Sequence, residues 1–326
     1  MYSQVIDLDP EGKYKLYCRL QTPMPMRQIM VAPAVLYIPG GGFAFSEPSD
    51  QEEMLYKFMG YGYHTFTYTY PTKDEYRFPD VIIYLSRALK MIRDRAEEWN
   101  VDPGKIVVGG CSAGAHIAGT LGAIWNRDFI QEPAGCTGTQ NRPDVVLLCY
   151  GPLYCNQLTD DGLLYVPSGD LVGPHTPPTF VSHCGDDGLV PVDQSLAYAT
   201  ALCKAGVDLS VFISGNGDHG GLQNIVPKAT VNHQLMVMID DWFGAFLKFA
   251  NNEFGVSPMP VQLEPMGPPD EVLPEELQSG EGADDMPPME IGPVLDANGN
   301  RMGTFAADLK LGFGGGAGEP YDNVLK

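Results

Sequence analysis

One short stretch constrains the fold of this chain more than any other: Gly110-Cys111-Ser112-Ala113-Gly114. It follows an apolar run at 105–109 that is typical of a buried strand, and it precedes a helical pattern that begins near His116. A serine held between a strand and a helix requires a very tight turn, which small neighbouring residues allow. The stretch is therefore interpreted as a nucleophile elbow, and a plain glycine-rich loop is the alternative.

Strand patterns and helix patterns alternate along the first 250 residues. Apolar or β-branched runs of strand length occur at 14–20, 34–38, 63–70, 106–108, 145–149, 179–183 and 208–213. Helical patterns occur at 51–59, 79–99, 116–125, 192–205 and 231–250. Alternation of this kind predicts an α/β fold, with a mostly parallel sheet covered by helices on both faces.

Two segments depart from this alternation. Residues 151–178 have little periodicity and many Gly, Pro and Asp residues, so a loop or short lid over the site is expected there. The composition changes again near Asn251, and residues 251–326 contain 14 acidic and three basic residues among many prolines. A main domain over 1–250, followed by an acidic appendage over 251–326, is predicted.

The appendage has the composition of a disordered acidic tail. However, Ala297-Asn298-Gly299-Asn300 is a good hairpin turn between apolar runs within 291–308. This pattern favours an ordered appendage that lies on the main domain or on a second copy of the chain. A homo-oligomer that involves the appendage is therefore one expected partnership.

Charge and cysteine usage exclude several classes of partner. The formal net charge is -21, which disfavours nucleic acid and anionic membrane surfaces, and no apolar run approaches the length of a membrane span. The seven cysteines are odd in number and scattered, which favours reduced thiols. With no signal-peptide pattern at the N-terminus, a cytoplasmic location is expected. No Cys/His cluster suggests a metal, and no cofactor is expected.

A serine nucleophile needs a base, usually a histidine that a carboxylate holds in place. His219 is the best-placed of the six histidines, because it lies in a glycine-rich loop directly after the strand predicted at 208–213. The other five fall in strand, helix or lid patterns: His64, His116, His175, His183 and His233.

Two adjacent carboxylates, Asp186 and Asp187, follow the strand predicted at 179–183. Adjacent side chains point in different directions, so only one of them can accept the proton on Nδ1 of the base. Asp187 is preferred for the D-x-x-V-P spacing into Pro191, which leaves Asp186 a loop-capping role. Nucleophile, acid and base then follow one another along the chain, each after a strand.

An oxyanion site requires backbone N–H groups that point at the developing negative charge. Ala113, directly after the serine and at a helix N-terminus, is predicted to supply one of them. Gly41 and Gly42, in the run Pro39-Gly40-Gly41-Gly42, are predicted to supply the others. Three consecutive glycines are costly to order, which argues against a mere turn at the end of a strand.

Three segments in order carry a resemblance: Tyr37-Ile38-Pro39-Gly40-Gly41-Gly42-Phe43, the elbow with its strand at 100–116, and 176–191. They are similar to the bacterial α/β-hydrolase family of acetyl-xylan-esterase-like and feruloyl-esterase-like carboxylesterases, over roughly residues 34–250. The resemblance implies the α/β-hydrolase fold and a carboxylesterase that acts on acyl groups attached to sugars. It implies Ser112 as nucleophile, Asp187 as acid and His219 as base.

This chain departs from the wider superfamily at Pro39, where many relatives have histidine, and resembles the acetyl-xylan-esterase-like branch there. The segment between residues 150 and 177 is short beside that branch, and residues 251–326 are not part of the family pattern.

The leading hypothesis is a serine carboxylesterase that removes short acyl groups, above all acetyl, from small-molecule or oligosaccharide esters. A feruloyl-type or general carboxylesterase is an alternative, with five aromatic residues as candidate pocket lining: Phe43, Phe45, Tyr150, Tyr154 and Tyr165. From another class, a non-catalytic binding or scaffold protein on a hydrolase fold is the alternative.

Overall fold

The computed structural model describes residues 2–22, 31–154, 157–159, 162–165, 168–223 and 241–255. The chain divides into two compact units, Met1–Met259 and Pro260–Lys326, and all described residues belong to the first. The predicted appendage therefore lies outside the described residues beyond Gly255, as do the hairpin turn at 297–300 and His233. The described part of the chain has no helix long and apolar enough to cross a membrane.

An eight-stranded sheet is the scaffold of the described domain, in the order β1-β2-β4-β3-β5-β6-β9-β10. Its strands are β1 (Tyr2–Asp7), β2 (Lys15–Leu20), β3 (Ala32–Ile38), β4 (His64–Thr69), β5 (Val101–Cys111), β6 (Val145–Cys149), β9 (Thr179–Cys184) and β10 (Leu209–Ser214). The six strands from β4 to β10 in that order run parallel, and β2 runs antiparallel to both of its neighbours, β1 and β4. The predicted α/β class with a mostly parallel sheet is confirmed.

Seven α-helices are described: α1 (Glu52–Gly60), α2 (Asp80–Asp94), α3 (Ala96–Trp99), α4 (Ala113–Ile124), α5 (Asp128–Ala134), α6 (Asp193–Ala205) and α7 (Asp241–Glu253). The single helix predicted at 79–99 is two helices, because the backbone leaves helical geometry at Arg95, where φ is -104° and ψ is 18°. The last predicted helix, 231–250, is described only from Asp241 and extends to Glu253.

The predicted loop or lid at 151–178 contains a small antiparallel pair, β7 (Gln157–Thr159) and β8 (Gly162–Tyr165). It also contains a single 3-10 turn at Ser168–Leu171. Part of this segment is therefore regular, although its Gly, Pro and Asp content favours turns.

Both faces of the sheet are buried at its central strands, which explains their continuous apolar runs. Along β3, Leu36 and Ile38 belong to one hydrophobic cluster with helices α2 and α4, whereas Val35 and Tyr37 belong to a second with α1 and α7. Successive side chains of a strand point to opposite faces, so the residues of β3 from Ala34 to Ile38 are all buried by one layer or the other.

The strand register brings the candidate site residues to one edge. β5 lies in the middle of the sheet, with Gly110 beside Ile38 of β3 and Cys111 beside Cys149 of β6. The residues after β3, β5, β9 and β10 therefore all leave the sheet at the carboxyl ends of parallel strands, where ligands of α/β proteins usually bind.

Candidate active site

The elbow places Ser112 between β5 and α4 with a positive φ of 50°. The Ser112 amide donates to the Cys149 carbonyl at 2.9 Å, which fixes the turn against β6. A Cβ atom at Gly114 would lie 2.1 Å from the Ile38 carbonyl oxygen, and one at Gly110 would lie 2.5 Å from the backbone of Gly114. The two glycines are therefore required by close backbone contact, and the elbow is pressed against the end of β3.

The structure brings together the three side chains predicted as nucleophile, base and acid. His219 Nε2 lies 3.0 Å from Ser112 Oγ, and His219 Nδ1 lies 2.8 Å from Asp187 Oδ2. A carboxylate accepts only, so Nδ1 carries the proton and Nε2 is the nitrogen that faces the serine hydroxyl. This is the geometry in which an imidazole can take the proton of a serine.

The Asp187 side chain is fully buried and accepts four hydrogen bonds. Oδ1 accepts from the amides of Leu189 and Val190 at 2.9 and 2.8 Å. Oδ2 accepts from His219 Nδ1 at 2.8 Å and from His183 Nε2 at 3.1 Å. Burial alone would raise the pKa of Asp187, but these hydrogen bonds outweigh it and hold the pKa well below its usual range. The carboxylate is therefore charged at neutral pH.

His219 Nδ1 bonds Asp187, whereas Asp186 connects the acid loop to the base loop. Asp186 Oδ1 accepts from the Asp218 amide at 2.9 Å. In return, Asp218 Oδ1 accepts from the amides of His219 and Gly188, at 2.7 and 3.3 Å. These reciprocal bonds agree with the capping role expected for Asp186.

The glycine run after β3 lies beside the nucleophile, since a Cβ atom at Gly40 would be 3.2 Å from Ser112 Cβ. Gly41 and Gly42 both have positive φ, at 114° and 58°, which favours glycine. Among the described residues, the amides of Gly41, Gly42 and Ala113 donate no hydrogen bond. An oxyanion site requires backbone donors that no other protein group occupies.

Three other histidines have hydrogen-bonded structural positions. His116 is buried, its Nδ1 lies 3.0 Å from the Pro152 carbonyl oxygen, and burial lowers its pKa to about 4. His64 accepts from the Gln21 amide at 3.0 Å, and His175 Nε2 lies 2.7 Å from the Ala123 carbonyl oxygen.

Sequence reasoning missed His183, which is assigned above only to a strand end. The sequence offered one indication of its contact with the acid, since His183 lies only four residues before Asp187. Periodicity cannot distinguish that histidine from any other strand residue.

Of the five aromatic residues considered as pocket lining, Phe43 and Tyr150 are buried, and Tyr150 packs its ring against His219 with centroids 4.8 Å apart. Tyr154 is partly buried and lies against Gly169. Phe45 is 49% exposed and keeps a ring accessible. The side chain of Tyr165 lies outside the described residues.

The sequence of this chain is similar to that of several known proteins. A family model described as BD-FAE matches residues 20–162. Endo-1,4-beta-xylanase B of Butyrivibrio fibrisolvens is 29% identical over 205 residues, which cover 57% of this chain and 32% of that protein. An acetylxylan esterase of Xylanibacter ruminicola is 24% identical over 238 residues, which cover 66% of this chain and 45% of that protein. The chain spans about a third to a half of the length of these curated relatives.

Solved structures share the fold over most of the described domain. A crystal structure of an alpha/beta hydrolase from a Medee basin deep-sea metagenome library is 26% identical, with a TM-score of 0.64, and covers 78% of this chain and 98% of that one. An acetyl ester-xyloside bifunctional hydrolase from Caldicellulosiruptor lactoaceticus is 24% identical, with a TM-score of 0.61, and covers 78% and 97%. The chain thus has the α/β-hydrolase fold, and its sequence is similar to that of an acetylxylan esterase.

Proposed function

We propose that this chain is a serine carboxylesterase that works through an acyl-enzyme intermediate. The observation that carries the proposal is the hydrogen-bonded series from Ser112 through His219 to Asp187, with distances of 3.0 and 2.8 Å. This series lies beside a glycine loop with amides that remain available. The similar acetylxylan esterase supports ester hydrolysis as the reaction.

In the first step, Ser112 Oγ attacks the ester carbonyl while His219 Nε2 takes the hydroxyl proton. Asp187, charged because its pKa is low, holds the Nδ1 proton and stabilises the imidazolium that forms. The amides of Gly41, Gly42 and Ala113 donate to the developing oxyanion. Loss of one such donor costs roughly 10²- to 10³-fold in kcat.

In the second step, the tetrahedral intermediate collapses and His219 gives its proton to the leaving alcohol. Water then enters, loses a proton to His219 and attacks the acyl carbon. Collapse of the second intermediate releases the acid and returns the proton to Ser112 Oγ. The chain's own side chains thus account for every proton that moves.

Short acyl esters of oligosaccharides, acetyl esters above all, are the substrates we propose. The names of two similar proteins, a xylanase and an acetylxylan esterase, support a sugar-bound ester. A feruloyl-type or general esterase is the second candidate, because the exposed Phe45 ring lies next to the glycine loop. Rates measured on acetylated and feruloylated oligosaccharides separate the two.

A cytoplasmic location and a homo-oligomer that involves residues 251–326 complete the proposal. Free thiols at the six cysteines of the described residues support a reducing compartment. Cell fractionation and the mass in solution test these two points. Localisation of the chain outside the cytoplasm would overturn the first, and a monomer would overturn the second.

The central test is replacement of the nucleophile. Ser112→Ala should lower the rate of p-nitrophenyl acetate hydrolysis by about 10⁴-fold or more, because the acyl-enzyme cannot form. A fluorophosphonate probe should label the wild-type chain at Ser112 and leave this variant unlabelled.

Two histidine variants, one in the site and one outside it, provide a matched control. His219→Gln should lose activity as Ser112→Ala does, whereas His175→Gln, away from the serine, should keep it. Wild-type hydrolysis by Ser112→Ala would overturn the mechanism. A wild-type chain that neither hydrolyses esters nor reacts with the probe would favour the non-catalytic scaffold.

A further inference from the structure

A second histidine contacts the acid of the candidate site. His183 ends β9, and its side chain is fully buried. Its Nε2 lies 3.1 Å from Asp187 Oδ2 and 2.9 Å from the Val190 carbonyl oxygen. Its Nδ1 lies 2.7 Å from Ser195 Oγ, in the first turn of α6. Both nitrogens are therefore held by the protein, away from solvent.

These contacts determine where the proton of a neutral His183 lies. A carboxylate oxygen and a carbonyl oxygen both face Nε2, and neither can donate, so Nε2 carries the hydrogen. Nδ1 then accepts the hydrogen bond, and the Ser195 hydroxyl is the donor. The bond from Ser195 of α6 thus orients the His183 ring, so that the Nε2–H group points at Asp187.

We infer that His183 is a positioning residue of the triad, which Ser195 orients and which donates to the same Asp187 oxygen that holds His219. The inference rests on the proposed function for its catalytic consequence. The hydrogen bonds described for His183 go to Asp187, Val190 and Ser195 and not to Ser112, so we place its effect on the carboxylate. The Tyr150 ring also lies near both imidazoles, with centroids 6.5 Å from His183 and 4.8 Å from His219.

The physical role follows from the number of donors on each oxygen. Two loop amides hold Oδ1, and two imidazoles hold Oδ2. These four donors fill the hydrogen-bonding capacity of the carboxylate and leave it one orientation. Without His183, Oδ2 keeps only the bond from His219, so its charge is less neutralised and its position less constrained.

The titratable groups around the acid come from four segments. Cys184 on β9 and the Tyr150 ring at the end of β6 lie close by, and Asp186 and Asp218 lie on the two loops. Substitution of His183 removes none of these groups. A change in pH dependence therefore reports on the lost donor.

Two substitutions separate the donor from the bulk of the ring. His183→Leu fills the space without a donor, whereas the amide N–H of His183→Gln can reach Asp187 and does not titrate. We expect kcat to fall about 10- to 100-fold in His183→Leu, the loss typical of a hydrogen bond to a charged group, with KM within about twofold. We expect His183→Gln to stay within about threefold of wild type.

The pH–rate profile distinguishes positioning from mere stability. In His183→Leu a less neutralised Asp187 holds the protonated base more strongly, so the acid limb of kcat/KM should move to higher pH. His64→Leu is the matched control, because His64 is also buried, and its nitrogens bond Gln21 and Asn100 outside the site. It should lower the melting temperature and leave the acid limb unchanged.

An activity-independent measurement completes the test. Imidazole ¹⁵N–¹H spectra of the wild-type chain should show His183 protonated on Nε2. The downfield Nδ1–H signal of His219 is identified by its loss in His219→Gln. In His183→Leu this signal should move further downfield, because His219 Nδ1 is then the only imidazole donor to Asp187 Oδ2.

Each outcome has a defined meaning. A His183 proton on Nδ1, or an unchanged His219 signal and acid limb in a folded His183→Leu, would overturn the inference. If the wild-type chain hydrolysed no ester, the proposed function would fail, while the spectra would still decide the His183 arrangement. If His183→Leu did not fold, the wild-type spectrum and His183→Gln would decide it.

Discussion

At the scale of single residues, neighbouring glycines after β3 have different surroundings. A Cβ atom at Gly41 would lie 2.3 Å from the Phe45 carbonyl oxygen, whereas one at Gly42 would meet nothing within 4 Å. The turn in which the amides of Ala44 and Phe45 donate to the Gly41 carbonyl, at 2.9 and 3.3 Å, explains this difference. The two positions should therefore tolerate a methyl group very differently.

We expect Gly41→Ala to lower kcat by 100-fold or more, because the loop must move away from Ser112 to relieve the clash, at the cost of its oxyanion contacts. Gly42→Ala keeps the same amide and should cost less than about tenfold, since a φ of 58° is strained for alanine by only about 1–2 kcal/mol. Steady-state kinetics on p-nitrophenyl acetate compare the two. Equal losses would argue against the packing explanation.

His116 should make stability depend on pH. Its pKa is lowered by burial to about 4 in the folded chain, against an ordinary value of 6.5, so the unfolded chain binds more protons between these values. The free energy of unfolding should fall by about 2 kcal/mol from pH 7 to pH 5 through this residue. Urea unfolding at both pH values measures it. His116→Asn, which keeps a donor for Pro152, should lose this part of the pH dependence.

Single residues also show how far the sequence could predict the site. Ser112, Asp187 and His219 could be named because the elbow is local and the order of acid and base along the chain is characteristic. His183 could not, because its partners are a loop carboxylate and a helix serine that only the folded β9–α6 unit brings together. Asp218 was missed because its bonds with Gly188 and Asp186 form only where the loops after β9 and β10 meet.

At the scale of elements, two loops from different strands are joined by reciprocal hydrogen bonds. Asp186, in the loop after β9, accepts from the Asp218 amide, and Asp218, in the loop after β10, accepts from the Gly188 amide. Asp218 also accepts from the His219 amide within its own loop. Because His219 is carried by the second loop, its distance from Asp187 depends on this connection.

Asp218→Ala removes the bond from Gly188 that joins the loops and the bond from the His219 amide within the base loop, and it should lower kcat about three- to tenfold, since the base loop is held less firmly. Asp218→Asn keeps a carbonyl acceptor, tolerates the positive φ of 53° and should remain near wild type. Kinetics and melting temperatures of both variants are the measurement. A loss in Asp218→Asn equal to that in Asp218→Ala would assign the effect to charge instead.

Helix α2 is tied to the sheet by a partly buried ion pair. Arg93 donates to Asp144 Oδ2 at 2.9 Å, and the same oxygen accepts from the Ile106 amide of β5 at 2.9 Å. Arg93→Ala should lower the free energy of unfolding by about 2–3 kcal/mol, because it leaves a shielded carboxylate without its cation. Asp94→Ala, which breaks the more exposed pair with Lys90, should change it by less than about 0.5 kcal/mol. Chemical denaturation compares them.

Helices and strands with a strong hydrophobic periodicity were predicted to within a few residues, whereas two elements with a weak periodicity, β1 and α5, were missed. β1 has alternate exposed residues and few apolar ones, and α5 is seven residues long with Pro133 inside it. The break at Arg95 was missed because α2 and α3 both contribute buried residues to the same hydrophobic cluster, so the period continues across it.

At the scale of the whole molecule, the charge is unevenly distributed along the chain. Residues 251–326 carry 14 acidic and three basic residues, about half of the net charge of -21. All three triad residues and the eight-stranded sheet lie before residue 224.

A chain that ends at Gly255 should keep kcat/KM on a small ester within about twofold, because no triad residue is removed. Its melting temperature is the control for folding. Loss of activity in a folded truncated chain would give residues 256–326 a part in the site. Light scattering on both chains tests assembly, and a smaller number of subunits after truncation would support the proposed homo-oligomer.

The contact between Gly114 and the Ile38 carbonyl oxygen has a kinetic consequence. The turn that carries Ser112 packs against the last residue of β3, so we expect the serine to become reactive only after these two segments, far apart in sequence, have paired. During refolding, labelling of Ser112 by a phosphonate probe should therefore appear when this long-range strand pairing forms. A spectroscopic signal from local helix formation does not report that event. The rate at which Ser112 becomes reactive should therefore measure the rate at which β3 and β5 pair.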